Sequence, residues 1–143
     1  MFDNTLILDF ETSGLNPYHD EIIEIAAKKF RSENHYSTLI KYKKTLDKKI
    51  VEITKITDDM LLKEGVSQRV AYHDFGEFIK SSFNLDKPLY VLAHNGNSFD
   101  FIFMKTPFLL HPAEAEGVFI IGCLGGDSDE RSYVFFAYFS IKG

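Results

Sequence analysis

Two apolar runs in this chain end in the same way, in a small polar turn that carries acids. The first is Thr5 to Phe10, and it delivers Asp9-Phe10-Glu11-Thr12-Ser13-Gly14-Leu15. The second is Leu89 to Ala93, and it delivers Ala93-His94-Asn95-Gly96-Asn97-Ser98-Phe99-Asp100. Short apolar runs stopped by Gly, Asn or Pro read as buried strands. A fold that must bring two such strand ends together is an α/β sheet with its polar residues along one rim. His94 is expected to support the turn that follows it or to sit in the core.

Asp9 and Glu11 stand one residue apart on a strand, so both side chains leave the same face, about 6.5–7 Å apart. Phe10 between them points the opposite way, into the core. Carboxylates at that spacing suit a hard divalent cation, Mg²⁺ or Mn²⁺, with oxygen ligands. Asp100 adds a third acid from the other strand end. Three such acids can hold two metals about 3.5–4 Å apart, the arrangement that activates a water and stabilises a leaving 3′ oxygen. Each segment alone has a plain structural explanation: a strand end near water for Asp9 and Glu11, a helix-dipole acid for Asp100.

The rest of the chain supplies the scaffold. Glu21 to Phe30 reads as a strand paired antiparallel with the first, and His35 to Lys43 as a third with a solvated face. Thr57 caps a helix over Asp58 to Glu64, with acids in the first turn and Gly65 as the stop. Ser67 caps a longer helix to about Phe83, with Val70, Phe75, Phe78, Ile79 and Phe83 as its apolar stripe. Ser98 to about Lys105 reads as a further helix, ended or kinked by Pro107. Val118 to Leu124 and Ser132 to Ile141 read as a hairpin with a polar loop. No repeat or linker divides the chain, so residues 1–143 are expected to form a single domain.

Net charge is −5, unevenly spread: between Lys28 and Lys55 nine Lys or Arg face three acids. That stretch is either a solvated surface or a ridge that steers phosphates toward an acidic metal site. The single cysteine, Cys123, excludes an internal disulfide. With no signal-peptide pattern and no run of membrane-spanning length, an intracellular protein, cytoplasmic or nuclear, with no membrane partner is expected. The loop Asp127-Ser128-Asp129-Glu130 lacks the spacing of a calcium loop.

The two acid-bearing segments resemble the DEDD (DnaQ-like) superfamily of 3′–5′ exonucleases, whose fold is ribonuclease-H-like. Asp9, Glu11, Thr12, Gly14 and Leu15 match its Asp-x-Glu-Thr-x-Gly-Leu motif, and Asn95, Phe99 and Asp100 match its second. The Ala-His-Asn-Gly-x-x-Phe-Asp form is most similar to the three-prime repair exonuclease branch. Ile53-Thr54-Lys55-Ile56-Thr57 resembles the superfamily's Gly-Ile-Thr segment, with Lys55 where glycine is usual. The likeness covers residues 5 to about 105. It implies a mixed central β-sheet flanked by helices, and a two-metal Mg²⁺ or Mn²⁺ site on Asp9, Glu11 and Asp100. It also implies a substrate pocket formed by Thr12, Gly14, Leu15, Asn95 and Phe99, with Leu15 wedged against the last base. The implied partner is a nucleic acid with a free 3′ end, single-stranded DNA ahead of RNA, from which 5′-mononucleotides are released.

The superfamily's third motif, His-x4-Asp or Tyr-x3-Asp, has no clear match. The nearest residues are His111, as general base, and Glu116, as fourth ligand, but they follow Asp100 closely and Pro112 interrupts them. Residues 106–143 are therefore atypical. They are expected to reflect a chain altered after about residue 106 and incomplete at its C-terminus, with an unusual replacement of the motif as the alternative. A missing general base costs about 10²–10⁴-fold in rate. A rival reading is thus an impaired exonuclease-fold module that binds nucleic-acid ends or a protein partner without turnover.

Overall fold

A computed structural model describes residues 4–16, 18–84, 86–87 and 89–94, together with the backbone of strands 118–124 and 132–139. The strands are β1 (Thr5–Thr12), β2 (Ile22–Lys29), β3 (His35–Leu39), β4 (Leu89–His94), β5 (Val118–Leu124) and β6 (Ser132–Phe139). The helices are α1 (Lys48–Thr54), α2 (Asp58–Glu64) and α3 (Gln68–Ser82). The strands form one sheet in the order β3-β2-β1-β4-β6-β5. β1 runs antiparallel to β2 and parallel to β4, while β6 lies antiparallel to β4 with β5 outside it. This is a mixed α/β sheet, and β1 sits where the pairing changes from antiparallel to parallel.

Alternation along β1 decides what faces what. Leu6, Leu8 and Phe10 are buried, whereas Asp9 is exposed and Glu11 half-buried. The apolar face packs on α3, whose Ala71, Tyr72, Phe75 and Ile79 share one core with Leu6, Leu8, Phe10, Ile25 and Ala27. Phe10 meets the ring of Phe75 edge-on, with centroids 6.5 Å apart. Burying a Phe ring is worth several kcal/mol, about 3–5 by truncation to Ala. That anchorage drives the two flanking acids to the other face of the sheet.

Capping sets the helix limits. The hydroxyls of Thr57 and Ser67 accept from the backbone N–H of Met60 and Val70, opening α2 and α3 where the sequence places them. The stripe of α3 differs by one position from expectation. Val70 is exposed, and Ala71 takes the buried place at the start of the stripe. Gly65 ends α2 for a steric reason, since its φ is −70° and an added Cβ would lie 2.9 Å from the N of Lys41 as well as against the Leu61 carbonyl. The chain after β3 passes there, joined by the bridge between Ile40 and Val66. β3 therefore stops at Leu39, short of the expected Lys43.

The connection after β3 holds α1, an element not expected from the sequence. Asp47 accepts from the N–H of Lys49 at its start, and Lys55 closes it in the left-handed conformation, φ 63°. Its Ile50 and Val51 pack against a second small core of Ile23, Leu46, Ile56 and Leu61. Among the described residues no helix is long and apolar enough to cross a membrane.

Candidate active site

Asp9 and Glu11 share the face of β1 opposite the core, as their spacing requires. The β1–β2 register sets Glu11 opposite Glu24 and Asp9 opposite Ala26. Asp9, Glu11 and Glu24 thus share one face of the ladder with the small side chain of Ala26. Glu24 was not singled out by sequence reading. Its signal was available: in a strand paired antiparallel with β1, Glu24, Ala26 and Lys28 form the polar phase of the alternation.

The electrostatics are those of clustered like charges. The Glu11 carboxyl is raised above its usual value, chiefly by burial and then by the charges of Asp9 and Glu24. Glu24 is raised by burial and then by Asp9. Like charges at directly opposed positions are unfavourable in a sheet. A divalent cation would turn that repulsion into attraction. The donor set is hard oxygen, so these residues fit Mg²⁺ or Mn²⁺. Among the described residues no group of three His, Cys, Asp or Glu is placed to hold a metal ion.

The parallel strand supplies the neighbouring wall. The paired residues run from Thr5 with Tyr90 to Ile7 with Leu92, and β4 continues two residues further, to His94. Its end therefore stands level with Asp9. Asn95, Phe99 and Asp100 belong to the segment that leaves β4 there, and they lie outside the described residues, as do His111 and Glu116.

The turn after β1 is tightly fastened. Asp20 accepts from the Ser13 hydroxyl through Oδ1 (3.1 Å) and from the Asn16 N–H through Oδ2 (3.0 Å). The Ser13 Oγ accepts in turn from the Glu21 N–H at 2.9 Å. Gly14 lies so close over this carboxylate that any Cβ would collide with it. Thr12 is buried, and its hydroxyl donates to the Gly14 carbonyl at 2.6 Å, bracing the turn. Leu15 projects from the turn into solvent, 81% exposed.

Of the basic stretch, Lys29 is structural: its Nζ donates to the Ser82 carbonyl at 2.7 Å and sits over the Phe83 ring. Lys41, Lys43, Lys44, Lys48, Lys49 and Lys55 are exposed.

Comparison with known proteins shows the family. Residues 6–116 match the RNase_T exonuclease family, eleven residues beyond the limit set by motif resemblance. The chain belongs to that family, a DEDD (DnaQ-like) exonuclease group with the ribonuclease-H-like fold. It is 39% identical over 103 residues to DNA polymerase III PolC-type of Thermotoga maritima, covering 70% of this chain and 7% of that protein. It is 34% identical over 105 residues to DNA polymerase III subunit epsilon of Treponema pallidum, covering 71% of this chain and 45% of that subunit. The chain thus spans a small part of the PolC proteins and less than half of the epsilon subunit. Among solved structures, an E. coli exonuclease I–ssDNA complex superimposes with TM-score 0.61 at 20% identity, over 73% of this chain and 23% of that one. That likeness concerns the fold.

Proposed function

We propose that this chain hydrolyses DNA from the 3′ end, releasing 5′-mononucleotides, with Asp9, Glu11 and Asp100 as the metal-holding acids. The observation that carries this reading is the pairing of Asp9 and Glu11 on one solvent-facing strand face, level with the end of the parallel strand β4. In open α/β sheets, ligands bind beyond the carboxyl ends of such strands. When bound, a pair of Mg²⁺ or Mn²⁺ ions supplies an activated water and charge stabilisation at the leaving 3′ oxygen.

The chain's own residues bind and orient. Asp9 and Glu11 fix the cation side of the cleft, and Asp100 completes it from the segment after β4. Gly14 and Leu15 present the strand-end turn to the terminal nucleotide, while Thr12 holds that turn in shape. Asn95 and Phe99 meet the same terminal nucleotide, as the motif resemblance implies. His111 takes the role of general base and Glu116 that of a fourth ligand. DNA is favoured over RNA because the curated relatives are DNA polymerase III proteins and one solved neighbour is exonuclease I with a dT13 oligonucleotide.

The test is release of nucleotides from a labelled single strand in Mg²⁺ or Mn²⁺, wild type beside Asp9→Ala. Metal-dependent release that the substitution abolishes supports the reading. Tight binding without release would instead identify a module that grips 3′ ends without cutting.

A further inference from the structure

We propose that Tyr18 is a nucleobase-stacking residue, receiving a base of the single strand just inward of its 3′ terminus. This rests on the reading of the site as one that takes a DNA 3′ end. Tyr18 is 74% exposed, and its side chain makes no hydrogen bond or ring contact with the described residues. Its backbone is nevertheless held. The Tyr18 N–H donates to the Asn16 side-chain oxygen at 2.9 Å, and the Asp20 N–H donates to the Asn16 carbonyl at 2.7 Å. The carboxylate of Asp20 then ties both Asn16 and Ser13, so the ring is carried by a preorganised turn.

Position argues for the substrate as its occupant. The turn leaves β1 immediately after the acid pair and returns to β2 through the bond from Ser13 N–H to the Glu21 carbonyl, 2.9 Å. Tyr18 is three residues from Glu21, so its Cα lies within about 11 Å of that fastening point. That is the length of about three stacked nucleotides at 3.4 Å each. A large aromatic ring offered to solvent beside a phosphodiester-cutting site matches the platforms on which single strands stack, a mode that tolerates any base. Leu15, on the same turn, offers a second apolar contact but no π-face.

Direct binding tests this, using a single-stranded oligonucleotide with a 5′ fluorophore and a free 3′ end, in EDTA so that nothing is cut. Tyr18→Ala should weaken binding roughly 5- to 100-fold, and Tyr18→Phe should restore it to within about twofold. An abasic site at the second or third nucleotide from the 3′ end should weaken wild-type binding to a similar degree, with no further loss in Tyr18→Ala. The inference is overturned if Tyr18→Ala binds like wild type, or if its loss is independent of the abasic site. Wild-type protein that neither binds this strand nor cuts it in Mn²⁺ would remove the function itself along with the inference. Tyr18 is 74% exposed, so Tyr18→Ala should melt like wild type, and an unchanged melting temperature assigns its loss of binding to the ring.

Discussion

At the scale of single residues, the chain accepts unfavourable local terms around its acids, and two substitutions expose them. Glu24 faces Glu11 across the β1–β2 ladder, and both carboxyls are raised from a reference value of 4.5. A carboxyl whose folded pKa exceeds its unfolded one binds more protons folded than unfolded, so stability falls as pH rises through that folded value. Metal-free protein should therefore lose melting temperature between about pH 4.5 and neutrality on account of these two groups. Glu24→Gln removes one charge of the repelling set. Melted in EDTA across that range, it should be the more stable protein at neutral pH, and the gap should close toward acid. A constant gap at every pH would remove the repulsion from the account. Lys55 is the second case. It occupies a left-handed position, φ 63°, where the family's segment carries glycine, and the left-handed region costs an L-residue roughly 1–2 kcal/mol. Lys55→Gly relieves that cost but frees the unfolded chain, which offsets part of it. A net gain of about 0.5–1 kcal/mol is expected, read as a rise of about 1–4 °C in melting temperature; an unchanged or lower value would show that the surrounding contacts, not glycine's freedom, set this cap.

At the scale of elements, the β1–β2 ladder sets the small side chain of Ala26 on the face that carries Asp9 and Glu11. Ala26→Leu keeps the strand and its pairing, and places branched bulk where Asp9 and Glu11 are proposed to share a cation. The variant should fold with a stability loss of at most about 1–3 kcal/mol and lose the Mn²⁺-induced rise in melting temperature expected of wild type. A cation at a hundred times its Kd contributes about 2.7 kcal/mol, large enough to resolve by thermal melting. An undiminished rise would place the cation elsewhere. The same ladder explains what could be read in advance. Asp9, Phe10 and Glu11 follow from period-two alternation alone, and the caps at Thr57 and Ser67 follow from hydroxyl chemistry. Glu24 escaped because its meaning depends on register, which a bulge between Ile22 and Glu24 shifts. Helix α1 escaped because Ile50, Val51, Ile53 and Thr54 are β-branched and Ile53 is exposed, so neither propensity nor a clean stripe marks it. Its helicity comes from packing on the second core. Val70 misled because its apolar side chain sits one position out of phase with the buried stripe.

At the scale of the whole molecule, the net charge of −5 and the acidic site would repel a polyanion unless positive charge were concentrated somewhere. The exposed lysines between β3 and the end of α1 supply that concentration. Asp47 caps α1 and leaves Lys48 and Lys49 at its start, where the helix dipole does not favour them, so these charges do not serve the helix. Lys43 and Lys44 stand on the preceding connection, both exposed and neither in an ion pair among the described residues. If this ridge meets phosphates, each contact releases counterions, and the logarithm of the binding constant falls with log salt by about 0.7 per phosphate on a single strand. Lys43→Ala/Lys44→Ala should therefore weaken single-strand binding at low salt and reduce the slope by about 1.4 when both lysines touch phosphate. Anisotropy titrations at several salt concentrations, in EDTA, give both quantities. Lys63 serves as the control, since its partner is Asp59 on the same helix, 3.0 Å away. A Lys63→Ala variant should leave the slope unchanged. Should the double variant keep the wild-type slope, the lysines between β3 and α1 are a solvated surface, and the strand must reach Asp9 and Glu11 by another path.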